Sequence, residues 1–176
     1  MALVTVSIGS NIQRDHHVRV CLDALVERFD ALQISRVFES KPVGFEDGRN
    51  FYNLVAAFET QLGVGELQRW CKTLEYANGR RKDSPKYSPR TLDIDLLTVG
   101  DACGLVDGVA LPRDEVDKHA FVLRPLAELL PDQHHPLNGQ RYATLWARFA
   151  ESELARQQPL WPVDFVWQGK AISTAR

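Results

Sequence analysis

Lys86-Tyr87-Ser88-Pro89-Arg90-Thr91-Leu92-Asp93-Ile94-Asp95-Leu96-Leu97 begins as a basic, proline-containing loop and turns into an apolar run interrupted by two aspartates. The run reads as a strand. Residues two apart on a strand project from the same face, so the carboxylates of Asp93 and Asp95 are expected side by side. Two adjacent negative charges on an apolar strand are unfavourable unless a cation sits between them, and a divalent metal is the usual answer. Asp-x-Asp also arises by chance on solvated strand faces and in turns, so the pair alone leaves both readings open.

The sequence just before this strand adds weight to the metal reading. Residues 80–90 hold Arg80, Arg81, Lys82, Lys86 and Arg90 against the single acid Asp83. Arginine presents a fork of donors to phosphate oxygens and lysine a mobile point charge, so a cationic loop leading into metal carboxylates would make a polyphosphate clamp. A basic run by itself is more often a solvated surface loop.

Working outward, residues 3–8 alternate as a strand with one apolar face, ending at Gly9-Ser10-Asn11. Over 14–29, Val18, Cys21, Leu22, Leu25, Val26 and Phe29 recur at helical spacing. Strands are predicted over 32–40 and 51–60, separated by a loop (41–50) longer than a tight hairpin needs. A second helix is expected over 65–78, with Leu67, Trp70, Cys71 and Leu74 as its apolar stripe and Gly79 as its stop. After the aspartate strand come a weak strand pair over 105–111, an irregular helical stretch after Pro112 that contains Pro125, and a final helix over 142–155. The order strand, helix, strand, strand, helix, strand predicts an α+β fold with a ferredoxin-like βαββαβ core sheet and further helices after it. A single domain over 1–176 is expected, with its C-terminal helix and aromatic tail (133–176) packed back on the core.

Composition narrows the function classes. The chain has 176 residues, 44% of them hydrophobic and 25% charged, and a formal net charge of −2. That charge offers no global attraction to nucleic acid or to an anionic membrane, so an anion site has to be local. Cys21, Cys71 and Cys103 are odd in number and lack a CxxC, which suggests neither a disulfide framework nor a zinc site and points to a cytoplasmic protein. No basic, apolar leader and no run of membrane-spanning length are apparent.

Other candidates carry less on their own. Gly9-Ser10-Asn11 allows close backbone approach but lacks the Gly-Lys-Ser/Thr of a Walker loop. Phe51 and Asn53 share a strand face and, with Phe121, would suit a flat heterocycle that stacks and accepts paired hydrogen bonds, although strand phenylalanines are usually core. Trp70 and Trp146 read as core. The adjacent pairs His16-His17 and His134-His135 read as surface residues.

Together these residues resemble a known family. The run from Ser88 through Leu97 is similar to the signature of the 6-hydroxymethyl-7,8-dihydropterin pyrophosphokinases of folate biosynthesis. Ile8-Gly9-Ser10-Asn11, Pro42-Val43-Gly44, Phe51-Tyr52-Asn53, Leu74-Glu75 with Gly79-Arg80, and Ala120-Phe121-Val122-Leu123-Arg124-Pro125-Leu126 look like its other landmarks, in its order, over about 3–132. The resemblance implies a three-layer α/β/α domain that transfers diphosphate from ATP to the pterin hydroxymethyl oxygen, releasing AMP. It also implies two Mg²⁺ ions on Asp93 and Asp95, and a pterin held by Ser40, Val43, Phe51, Asn53 and Phe121. Arg80, Lys82 and Arg90 would hold phosphates during catalysis, while Lys72, Glu75, Tyr87, Arg113 and His119 would lie on the ATP side. A single unit acting as a monomer, with no nucleic-acid or membrane partner, is the accompanying expectation.

The chain departs from the family pattern at specific positions. Tyr87 and Ser88 stand where tryptophan and glycine are usual, Lys82 where arginine is frequent, and Lys41 where a small or apolar residue precedes Pro42. Arg113 and His119 look like an exchange of histidine and arginine. These changes cluster on the ATP side and keep open a divergent paralogue with altered specificity or weak turnover. A ferredoxin-like nucleic-acid binder using the basic loop is a further alternative, which leaves the two aspartates unexplained.

Overall fold

The fold is known from a computed structural model, which describes residues 1–42, 48–79 and 91–176. In chain order the elements are strand β1 (Ala2–Ser10), helix α1 (Arg14–Phe29), strands β2 (Gln33–Ile34), β3 (Phe38–Ser40) and β4 (Phe51–Thr60), helix α2 (Val64–Ala77), and strands β5 (Asp93–Val99), β6 (Gly104–Val106) and β7 (Val109–Leu111). A 3-10 turn (Asp114–Asp117) follows, then helices α3 (Ala120–Leu129), α4 (Tyr142–Phe149) and α5 (Glu153–Arg156), and strands β8 (Leu160–Pro162), β9 (Phe165–Trp167) and β10 (Lys170–Ser173).

The main sheet runs β5-β1-β4-β3-β8, with β2 also paired to β4, and every pairing is antiparallel. Strand β4 lies between β1 and β3, which is the split βαβ arrangement of a ferredoxin-like sheet. Alternation along the strands divides the core in two. Val4, Val6 and Ile8 of β1, Leu54, Ala56 and Phe58 of β4, and Ile94 and Leu96 of β5 pack with α1 and α2. Val55 and Leu97 point the other way, into a second cluster with Val122, Leu123 and Leu126 of α3 and Tyr142 of α4. Helices therefore cover both faces, giving three α/β/α layers.

Local departures from the sequence reading have local causes. The strand expected over 32–40 is interrupted, because Ser35 takes the place of a ladder residue: its backbone N–H donates to Val55 O at 2.9 Å and its Oγ accepts from Val55 N–H at 2.9 Å. The helix expected over 142–155 breaks after Phe149, and Ser152 caps the short α5 by accepting from Ala155 N–H. His17 and His135, read as surface residues, are buried. His17 Nδ1 lies 2.7 Å from Ile12 O, and His135 Nδ1 accepts from the backbone of Leu137 and Asn138, so polar side chains satisfied locally are taken into the interior.

The tail extends the sheet rather than trailing from it. Strand β8 pairs with β3 through Phe38↔Pro162, Glu39↔Trp161 and Ser40↔Leu160. The β9–β10 hairpin adds Phe165 to the α1-side core, and Trp167 Nε1 donates to Asp23 Oδ1 on α1 at 2.8 Å.

Replacing Ser35 with alanine leaves the buried Val55 N–H without its acceptor. Urea denaturation of Ser35→Ala is expected to show a loss of about 1–3 kcal/mol with an unchanged m-value.

Candidate active site

The register of the sheet decides which side chains meet. Gly9 of β1 is paired with Asp93 on one side and Asn53 on the other, and Asn53 is paired in turn with Phe38. This places Asp93, Gly9, Asn53 and Phe38 in one row across four strands. Asp95 follows one step along, opposite Ser7 and on the same face as Leu97, so both aspartates share the layer that α3 covers. The expectation that the two carboxylates stand on one face agrees with this geometry.

Gly9 carries no side chain because there is no room for one. A Cβ there would lie 2.9 Å from Asn53 Oδ1 and 3.7 Å from Phe51 Cδ1. The Asn53 amide is fixed from the other side as well, since its Nδ2 donates to Ser40 Oγ at 3.0 Å. Ser40, Phe51 and Asn53 are thus brought together around the end of β4, with Ser40 and Asn53 buried and Phe51 partly exposed. Phe121, in the first turn of α3, stacks on His119 with ring centroids 4.8 Å apart and planes at 29°.

The electrostatics centre on the carboxylates. Burial, then the charge of Asp93, push the Asp95 carboxyl up to about 7, with Glu115 and Glu75 adding to the rise and Arg113 opposing it. Arg113 Nη2 lies 3.6 Å from Asp95 Oδ1 and 3.4 Å from Glu115 Oε1. His119 Nδ1 is 3.7 Å from the other oxygen of Glu115, Oε2. Glu115 was not singled out in the sequence; its spacing of four residues before His119 within a helical stretch was the available signal.

Glu75 is fully buried, and it occupies the place where the next apolar residue of the α2 stripe Val64, Leu67, Cys71 would fall. Its Oε2 accepts from Ile94 N–H at 2.8 Å, between the two aspartates, and its Oε1 meets Lys72 Nζ at 3.1 Å. Burial raises the Glu75 carboxyl, and Asp93 adds to the rise through charge and a side-chain hydrogen bond, against the Ile94 bond and Lys72. Lys72 and Glu75, expected on the nucleotide side, therefore form a pair beneath β5, and Glu75 presents no surface of its own to a ligand. Arg113 and His119 instead line an open cleft of about 520 Å³ with Gln68, Glu115 and Lys118. Val43, Arg80, Lys82, Tyr87 and Arg90 lie outside the described residues.

Among the described residues no group of three or more His, Cys, Asp or Glu side chains is placed to hold a metal ion by itself. Two carboxylates on one strand face suit Mg²⁺, which keeps several waters and takes its remaining oxygens from a bound phosphate. The fit is supported by charge: three carboxyl groups besides its own raise Asp95, against one guanidinium.

A carboxyl raised in the folded state binds its proton more tightly there than in the unfolded chain. The stability it contributes is fully present below about pH 4 and is lost as pH rises through about 7. For metal-free protein, thermal unfolding is expected to show this loss, on the order of 2–4 kcal/mol, between pH 4 and pH 8. Asp95→Asn should flatten the profile; an equally steep profile in that variant contradicts the assignment.

Comparison with known proteins bears on this arrangement. The family described as 7,8-dihydro-6-hydroxymethylpterin-pyrophosphokinase (HPPK) matches residues 5–131. The 2-amino-4-hydroxy-6-hydroxymethyldihydropteridine pyrophosphokinase of Aquifex aeolicus is 35% identical over 138 residues, covering 78% of this chain and 86% of that protein. The Pseudomonas aeruginosa protein of the same name is 34% identical over 137 residues, covering 76% of this chain and 83% of its own length. The folic acid synthesis protein fol1 of Pneumocystis carinii is 29% identical over 96% of this chain, which spans only 22% of that longer protein. Among solved structures, an HPPK-DHPS in complex with substrates aligns over 98% of this chain and 48% of its own, with a TM-score of 0.71 at 10% identity, which speaks for the fold. The arrangement of strands and the ordered match through Asp93 and Asp95 lead to one conclusion: the chain belongs to the 7,8-dihydro-6-hydroxymethylpterin-pyrophosphokinase family.

Proposed function

We propose that this chain transfers the β,γ-diphosphate of ATP to the hydroxymethyl oxygen of 6-hydroxymethyl-7,8-dihydropterin, in folate biosynthesis. A bond forms between that oxygen and the β-phosphorus as its O–H bond breaks and the proton is released, the bond from the β-phosphorus to the α,β-bridging oxygen breaks, and AMP leaves with that oxygen. The observation that carries the reading is the row Asp93, Gly9, Asn53 across the sheet: carboxylates for a metal and an amide for a heterocycle stand at the same end of one face.

Each group has a task in this reading. Asn53, oriented by Ser40, bonds the polar edge of the pterin, and Phe51 and Phe121 supply apolar ring faces. Asp93 and Asp95 would hold Mg²⁺, two ions in the family's pattern. Bound there, the metal would neutralise phosphate charge and align the reacting oxygens. Arg113 and His119, lining the cleft beside Asp95, are the described cationic and hydrogen-bonding groups for the triphosphate and nucleoside. Arg80, Lys82 and Arg90 are assigned to phosphates, Tyr87 to the nucleotide and Val43 to the pterin pocket on their motif positions. Lys72 and Glu75 act from below, holding β5 and so the spacing of the aspartates.

Altered specificity rests on Lys82, Tyr87, Ser88, Arg113 and His119, and the ordered match on both sides of the carboxylates favours the enzyme over it. No helix among the described residues is long and apolar enough to cross a membrane. We further assign the chain to the cytoplasm, working as a monomer.

Incubation with MgATP and 6-hydroxymethyl-7,8-dihydropterin is expected to yield AMP and pterin diphosphate in equal amounts; ADP as the only nucleotide product contradicts the proposal. Asp95→Ala should lower kcat by about a thousandfold or more, since a metal clamp contributes several kcal/mol in the transition state. In Gly9→Ala the added methyl group displaces the Asn53 amide, and the pterin KM should rise roughly tenfold with a smaller change in kcat.

A further inference from the structure

The described cleft and pterin pocket share one support that lies beyond the family match, which ends at residue 131. The side chain of Gln158 grips the main chain on both sides of His119. Its Oε1 accepts from Ala120 N–H at 2.8 Å, and its Nε2 donates to Lys118 O at 3.1 Å. His119 is the N-cap of α3 and makes no side-chain capping bond, so the first free amide of the helix is satisfied from 38 residues away.

The same segment also holds the opposite wall. Two residues after Gln158, Leu160 pairs with Ser40 on β3, and its carbonyl accepts from Arg124 Nη1 on α3 at 3.3 Å. Ser40 in turn orients the Asn53 amide. Residues 158–160 thus tie the strand that carries Ser40 to the helix turn that carries His119 and Phe121.

We propose that Gln158 is a positioning residue for substrate binding: by clamping the peptides around His119 it fixes the His119–Phe121 stack at the distance from β3 that the pterin requires. This rests on the pterin reading above. Removing the clamp frees the first turn of α3 while the cores on both faces of the sheet remain, so the effect falls on binding more than on folding or on the carboxylates.

Steady-state kinetics with MgATP and 6-hydroxymethyl-7,8-dihydropterin test it. Gln158→Ala and the similarly shaped Gln158→Met should each raise the pterin KM about threefold to tenfold, the worth of one or two hydrogen bonds, with kcat changed less than twofold. Gln158→Glu keeps the acceptor for Ala120 N–H but sets a carboxylate oxygen against Lys118 O, and should recover the wild-type KM only in part. Ser152→Ala removes the cap of α5 in the same tail without touching α3 and should leave KM unchanged. An unaltered KM in Gln158→Ala, or an equal rise in Ser152→Ala, overturns the positioning role. Amide exchange at Ala120 provides a readout independent of turnover: protection should fall in Gln158→Ala and Gln158→Met, and unchanged protection also overturns it. Wild-type protein that neither binds nor converts the pterin, with Ala120 protection behaving as stated, overturns the underlying reading and the substrate role with it, but not the clamp.

Discussion

Strand β1 is paired along its length with β4, from Ala2↔Thr60 to Ser10↔Tyr52, and over most of it with β5, from Val4↔Val99 to Gly9↔Asp93. The β5 ladder shifts by one residue at a bulge between Thr5 and Val6 and is regular from Val6 to Gly9, where a one-residue slip of β1 would exchange its own α1-facing and α3-facing sets. The apolar residues Val4, Val6 and Ile8 lock that register by burial. The consequence for the site is direct: the same register that buries them brings Gly9 between Asp93 and Asn53. Core packing and the placing of Asp93, Gly9 and Asn53 in one row are therefore one constraint.

Within that frame the described residues bring four carboxyl groups close together. Asp93, Asp95, Glu75 and Glu115 approach one another, and among the described residues Arg113 and Lys72 form ion pairs with Asp95, Glu115 and Glu75. Carboxyl groups gathered at a partly enclosed position raise one another's affinity for a proton or a metal cation. Arg113 reaches Asp95 while lining the open cleft, its Nη2 3.6 Å from Asp95 Oδ1.

The sequence made the alternations and the helical stripes legible. The pattern of Val4, Val6 and Ile8 against Thr5 and Ser7 gave β1, and the spacing of Val18, Cys21, Leu22, Leu25 and Phe29 gave α1 to its observed ends. The aspartates were legible as a same-face pair because strand period is local. What escaped depended on contacts distant in sequence. Ser35 interrupts its strand through a bond to Val55, and Gln158 caps a helix that begins 38 residues earlier. Glu75 was visible as a family landmark, but its buried role follows only from the approach of α2 to β5. Periodicity reports which face a residue occupies and carries no information about which distant backbone group will meet it.

Strand β5 ends the sheet, with β1 as its only strand neighbour among the described residues. An edge left open would expose backbone donors and acceptors that another chain's strand can adopt, the first step of edge-to-edge polymerisation; here Arg113 N–H donates to Leu97 O at 2.8 Å. Glu75 occupies the outward Ile94 N–H with a buried carboxylate. A foreign strand would have to displace that acceptor and strand a carboxyl group against its own carbonyl oxygens. The residue that braces the aspartates from below thereby also closes, together with the Arg113 backbone, an edge that an incoming strand would need open.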